Sequence, residues 1–142
     1  MKNIATFALF IAATFFATGP VRAQDHLVKA TVPFSFTVGD KTLPSGNYTI
    51  GSSVTSPNLL VIHNWDKKIG IMSLGQPDNN NSRGDNTLVF HKYGNQYFLT
   101  DIRTANSSMN MHLPATKAEK RAKAEVEEAG LFANDPVLIA LK

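Results

Sequence analysis

Residues 32–50 read VPFSFTVGDKTLPSGNYTI, and this stretch decides the fold. From Leu27 to Val38 the side chains alternate without a break. Val28, Ala30, Val32, Phe34, Phe36 and Val38 fall on one face, and Lys29, Thr31, Pro33, Ser35 and Thr37 on the other. A period of two over a dozen residues describes a strand with one buried and one wet face. Pro33 has no N–H to give a neighbouring strand, so the spacing predicts an edge strand, or one bulged at that point. Gly39-Asp40 is a glycine-first hairpin turn that sets Lys41 beside Val38 and Leu43 beside Phe36. Leu43-Pro44-Ser45-Gly46 fits a type I turn, after which Asn47 to Ile50 re-enter a strand with Tyr48 and Ile50 inward.

Further along, Asn58 to His63 (NLLVIH) holds four consecutive apolar residues, which predicts a strand covered on both faces. Asn64-Trp65-Asp66-Lys67 is a turn, and Ile69 to Leu74 the returning strand. Gly75 to Asn86 (GQPDNNNSRGDN) has the composition of an exposed loop. The clearest hairpin follows: TLVFHKY, the turn Gly94-Asn95, then QYFLTDIR. A two-residue turn pairs Tyr93 with Gln96, His91 with Phe98, Val89 with Thr100 and Leu88 with Asp101. Val89, Phe98 and Ile102 then share one face, and Leu88, Phe90 and Leu99 the other, so something must cover the second face.

The cover is the one helix. Thr116 followed by Glu119 is a capping box, Lys117 to Ala129 lacks glycine and proline, and Gly130 is a natural stop. Its apolar stripe is thin: Ala118, Ala122, Val126 and Ala129. Val137 to Leu141 reads as a last strand. The fold class that results is mainly β, an antiparallel β-sandwich or partly open β-barrel of seven or eight strands with one C-terminal helix.

At the N-terminus Lys2 precedes an apolar run from Ile4 to Gly19, and Val21-Arg22-Ala23 closes it. This is the pattern of a secretory signal peptide over residues 1–23 cleaved after Ala23, shorter than the ~20 apolar residues of a membrane span. It predicts an exported protein, periplasmic or extracellular, with no stable membrane insertion after cleavage. Residues 24–142 then form a single β-rich domain. The 14 basic side chains less Lys2 and Arg22 leave 12 against 11 acidic ones, a charge of +1 that offers nucleic acid no electrostatic footprint. There is no cysteine, so a core must do the work that disulfides do in many small exported domains.

Three separated segments in order, VPFSFTVGDKTLPSGNYTI, LVFHKYGNQYFLTDI and the charged alanine-rich helix after Leu113-Pro114, resemble an uncharacterised group of small exported β-rich proteins of environmental bacteria. The resemblance covers nearly all of residues 24–142. It implies export and a β fold, and carries over no catalytic or ligand residue.

Chemistry is sparse. The histidines His26, His63, His91 and His112 never stand at the i, i+2 or i, i+4 spacing that puts ligands on one face. His63 and His91 convene a site only if they meet across neighbouring strands with Asp66 or Asp101 as third ligand. A lone strand histidine is otherwise a packing residue, so no metal and no cofactor are expected. Asp78 to Asp85 (DNNNSRGD) resembles a calcium loop, yet Arg83 stands where glycine is needed and Val89 where a bidentate glutamate is needed. Arg83-Gly84-Asp85 matches a cell-adhesion tripeptide and is equally ordinary turn chemistry. No nucleophile elbow or serine–histidine–acid arrangement occurs. Glu119, Glu125, Glu127 and Glu128 all fall on a helix read as solvated, with Arg121–Glu125 and Lys123–Glu127 pairs.

No catalytic residue is therefore assigned, and no enzyme is expected. The aromatic residues Phe34, Phe36, Tyr48, Phe90, Tyr93, Tyr97 and Phe98 either fill a core or line an apolar pocket. Trp65, at a turn, is folded back or offered to a partner. The reading that results is a non-enzymatic exported β-domain, structural or protein-interacting, the partner being an unidentified protein or none; the alternative is a binder of a small apolar ligand in a barrel pocket.

Overall fold

Pro33 divides the long alternating segment in two. The computed structural model describes residues 27–53, 55–78, 85–105, 109–131 and 135–142; residues 1–26, His26 among them, and residues 79–84 of the polar loop lie outside them. β1 (Leu27–Val32) ends at the proline and β2 (Phe36–Val38) begins three residues beyond it, in a different sheet. The single strand read from the alternation is thus corrected to two strands around a corner. Val32, Phe36 and Val38 remain buried in one core, because the corner preserves which face is inside. Sheets that change direction do so where a strand switches sheets through a bend, and Pro33 supplies one.

Beyond β2 come β3 (Lys41–Leu43), β4 (Gly46–Ser52), β5 (Leu59–Asn64), β6 (Ile69–Leu74), β7 (Gln76–Pro77), β8 (Thr87–Tyr93), β9 (Gln96–Arg103), β10 (Met111–His112), α1 (Lys117–Glu128) and β11 (Val137–Ala140). One sheet has the order β1-β4-β5-β6. The other runs β11-β8-β9-β10-β7 and curls, with β2 pairing β3 and, in parallel, β9. The fold is mainly β, two sheets around one core with a helix near the C-terminus. The strand count exceeds the expected seven or eight because Pro33 cuts one strand into two and because the two-residue β7 and β10 form where no strand was read.

The second switch is Pro44-Ser45, between β3 and β4. There the Tyr48 hydroxyl donates to the Pro44 carbonyl four residues back, while its ring, buried in the core, meets Phe36 edge-on with centroids 5.1 Å apart. Gly46 is required: a methyl there would lie 2.5 Å from the Asn64 amide nitrogen. The third switch is Gly75, between β6 and β7, where an added methyl would overlap Met111. Gly75 is buried and Gln76-Pro77 form β7, which corrects the reading of these residues as loop, while Gln76 and Pro77 are exposed as expected. The fourth joins the sheets again: Leu141 bridges to Ala30, and Lys142 and Lys29 exchange backbone hydrogen bonds of 2.8 and 3.2 Å.

The turns obey their chemistry. Gly39 has φ +59 and places Phe36 opposite Leu43 and Val38 opposite Lys41, as expected. In the β8–β9 hairpin, Tyr93–Gln96 and His91–Phe98 pair as expected, but the register slips between Val89 and Phe90, so Val89 meets Asp101 and Leu88 meets Ile102. Thr100 is the extra residue of this bulge, buried, with its hydroxyl on the Val89 carbonyl at 3.1 Å. The slip moves Ile102 to the core face beside Leu88, Phe90 and Leu99, a correction of the face assignment. β5 alternates as well: Leu60, Ile62 and Asn64 are buried while Leu59, Val61 and His63 are only half-covered, so it does not have two buried faces.

Burial pushes the Tyr48 phenol above its ordinary range, with the Asn64 side chain opposing, and burial and then Glu119 and Glu127 do the same to Tyr93. A raised folded value means the neutral phenol is favoured in the native state. The stability it contributes is complete below the unfolded value of 10.0 and is lost as pH rises through the folded one. Thermal melts should therefore hold level to about pH 9 and fall steadily above about pH 10. Tyr48→Phe, which leaves the Pro44 carbonyl without its donor, should cost about 1–3 kcal/mol by urea unfolding and make the alkaline fall shallower.

Candidate functional site

The outer face of the β1-β4-β5-β6 sheet is divided along the strand axis. Register places Leu27, Gly51, Val61 and Met72 in one row and Lys29, Thr49, His63 and Gly70 in the next, with Leu59 beside Leu74 at one end and Thr31 beside Asn47 at the other. One end is apolar, the other polar and closed off by the β5–β6 turn.

That turn holds Trp65–Lys68, four residues as read but shifted one position along the chain, because Asn64 still pairs with Ile69. Buried Asn64 accepts the Lys67 N–H at 3.0 Å through its side-chain oxygen, a local side-chain turn. Lys68 takes φ +53 to close it, and the Lys67 ammonium reaches the Ser45 carbonyl at 2.7 Å. The arrangement fixes Trp65, which is 72% exposed. Its ring stacks on His63 at 5.1 Å and 17°. The histidine ring in turn lies over Gly70, where a methyl would come within 2.9 Å of its Cε1. Gly70, His63 and Trp65 thus form one pile, the indole outermost. Trp65 is presented to solvent rather than folded back.

Beside the indole runs an open groove of about 340 Å³, lined by Lys29, Thr31, Asn47, Thr49, Asp66 and Lys142 among others. The Asn47 amide is held at both ends: its oxygen accepts from Thr31 at 2.8 Å and its nitrogen donates to Asp66 at 3.4 Å. The spacing of His63 and Gly70 across a four-residue turn was the sequence signal for the pile; sequence reasoning missed it.

The other described histidines, His91 and His112, are not near. His63 stands on the outer face of one sheet and His91 on the outer face of the other, with the core between, so the convergence required for a shared metal does not occur. His91 Nδ1 bonds Glu119 Oε1 at 3.0 Å, and the Tyr93 hydroxyl lies 3.4 Å from the same nitrogen. His112 Nδ1 bonds Asp101 Oδ1 at 2.9 Å, and Asp101 Oδ2 takes the Thr100 hydroxyl. An ionised carboxylate only accepts, so Nδ1 is the donor in both pairs. No group of three histidine, aspartate or glutamate side chains gathers among the described residues. Of the calcium-like loop only Asp78 and Asp85 are described, and Arg83 and Gly84 of the adhesion tripeptide lie outside.

Glu119 corrects a second reading. It is 6% exposed, not part of a solvated face. Its N–H caps on Thr116 at 3.2 Å as expected, but its carboxylate goes to His91. The helix face that meets the β8–β9 hairpin is Glu119, Ala122 and Val126, against Tyr93 and Phe98; Ala118 and Ala129 are exposed. Gly130, φ +69, ends the helix, with Leu131 N–H on Val126 and Gly130 N–H on Glu127. Among the described residues no helix is long and apolar enough to cross a membrane.

A mainly-β domain of two sheets with an exposed aromatic platform is the class that fold and site define. Compared with protein-family models, with curated proteins and with solved structures, the chain matches none.

With so little apolar area under α1, the His91–Glu119 bond is a main anchor. Glu119→Ala should raise amide exchange in Lys120–Ala129 by about tenfold, the equivalent of one lost charged hydrogen bond, while β4 and β5 amides stay protected.

Proposed function

We propose that this chain is a non-enzymatic, exported protein-interaction module, and that the apolar end of the β1-β4-β5-β6 face, with the edge of β6, is where a second copy of the chain docks. Export is supported by the leader pattern at residues 1–23. The docking surface is supported by one observation above others. Met72 and Leu74 stand 71% and 72% exposed on β6, with Leu27 at 60% across the same face.

The edge itself supports the reading. Among the described residues β6 pairs only with β5, and its six residues carry neither charge nor proline. Natural edges are normally blunted. β7 has two residues including Pro77, β3 has three beginning with Lys41, and the free side of β1 takes the Leu141 bridge. Because the Gly75 N–H closes onto the Asn58 carbonyl at 2.9 Å, alternation turns the backbone groups of Gly70, Met72 and Leu74 away from β5. An antiparallel two-fold through Met72 would set Gly70 of one copy opposite Leu74 of the other, small against large. The alternative, an apolar ligand held among the strands, has less behind it: Phe36 meets Tyr48 and Phe90 edge to face at 5.1 and 5.3 Å, and Phe34 meets Phe90 at 5.3 Å.

Sedimentation velocity on residues 24–142 from roughly 1 to 100 µM should show a monomer–dimer equilibrium. Met72→Lys should leave a folded monomer. A wild-type chain monomeric throughout, whether or not another purified protein binds this face, would overturn the assignment to a second copy.

A further inference from the structure

The polar end of the same face has a different chemistry and needs no dimer. A large aromatic ring that is 72% exposed usually loses its fixed orientation or folds onto the surface; here it is held outward. Glycine at position 70 lets the His63 ring lie flat, and the indole lies on that ring at 17°. The neighbouring groove, about 340 Å³, is in the size range of small-molecule sites. Its lining mixes two hydroxyls, an amide, a carboxylate and ammonium groups, from Thr31, Thr49, Asn47, Asp66, Lys29 and Lys142.

These groups select a ligand class. A lipid or other apolar ligand would shut water away from the Asp66 carboxylate and the Lys29 ammonium and give neither a hydrogen bond in its place. An anion would meet Asp66, and a cation would meet Lys29. A neutral ligand rich in hydroxyls satisfies both signs at once, since each hydroxyl donates and accepts. Such a ligand also needs one flat, weakly positive C–H face to lie on the negative face of an indole. A sugar ring has both properties.

We propose that the groove beside Trp65 is a binding site for a neutral saccharide, with one pyranose ring lying on the indole and its hydroxyls reaching Asn47, Thr49 and Asp66. The open groove, in place of an enclosed cavity, suits a unit within a longer chain. The Thr31–Asn47–Asp66 hydrogen bonds hold the polar groups in position before the ligand arrives.

Trp65 is the only tryptophan in the sequence, so intrinsic fluorescence reports on this site alone. Residues 24–142 are titrated with hexasaccharides of glucose, N-acetylglucosamine, mannose and galactose, and in a second arm mixed with insoluble cellulose, chitin and mannan. At least one sugar should shift or quench the emission saturably, with half-effect between roughly 10 µM and 1 mM. The insoluble arm shows whether a free oligosaccharide or a polymer surface carries that sugar. Trp65→Ala, followed by affinity electrophoresis, should lose binding at least tenfold. Gly70→Ala, which dislodges His63 beneath the indole, should weaken it several-fold while the amides of β8 and β9 keep their protection from exchange. No response to any of these sugars, a response to an extended peptide alone, or full binding by Trp65→Ala would each overturn the proposal. Failure of the dimer leaves these readouts intact, because Met72→Lys can be titrated in the same way.

Discussion

The hydrogen bond from the Tyr48 hydroxyl to the Pro44 carbonyl holds the corner on which the two sheets turn. Pro44 ends the excursion of β2 and β3 into the curled sheet, and Tyr48 is the first core residue after the return. Its ring meets Phe36, which lies across the core in the other sheet. The bond gives the Tyr48 hydroxyl a backbone acceptor beside the core, and fixes the angle at which β4 leaves the corner. Around it the remaining switches follow from similar local causes. Pro33 withholds a donor, Gly75 leaves room for Met111, and the C-terminal residues give Lys29 the partner its edge lacks. One core then serves both sheets.

That arrangement explains how two unlike surfaces come to share a single face. A strand in the β1-β4-β5-β6 sheet points alternate side chains into the core, leaving the others free of any packing duty. Near β6 these are apolar; near the β5–β6 turn they are polar and aromatic. The other outer face is spoken for by α1, which is anchored by a histidine–carboxylate bond and only a little apolar area. Two histidines backed by carboxylates resemble the start of catalytic chemistry, yet each ties one element to its neighbour: His91 ties β8 to α1, and His112 ties β10 to β9.

Local chemistry made much of the fold legible. Gly39-Asp40 and Gly94-Asn95 announced their hairpins and the first pairs beyond each turn, because turn geometry sets register. Thr116 and Gly130 marked the helix ends. What could not be read depends on partners distant in sequence. The bulge at Thr100 has no local signature, since a buried threonine earns its place only once the Val89 carbonyl is beside it. Glu119 looks like any helix-surface glutamate until His91, 28 positions away, is brought to it. Trp65 was visible as an oddity, but its platform required knowing that Gly70 comes to lie opposite His63. Pro33 showed that something ends there; whether that is an edge or a corner is decided by the rest of the sheet.

The account rests most directly on the environment of Tyr48, and proton NMR of residues 24–142 tests it. Contacts from the Tyr48 ring to both Phe36 and Pro44, together with a hydroxyl proton that exchanges slowly enough to be seen, are the expected result. A Tyr48 ring that flips freely without contact to Phe36, or a hydroxyl proton lost at once to solvent, would contradict it.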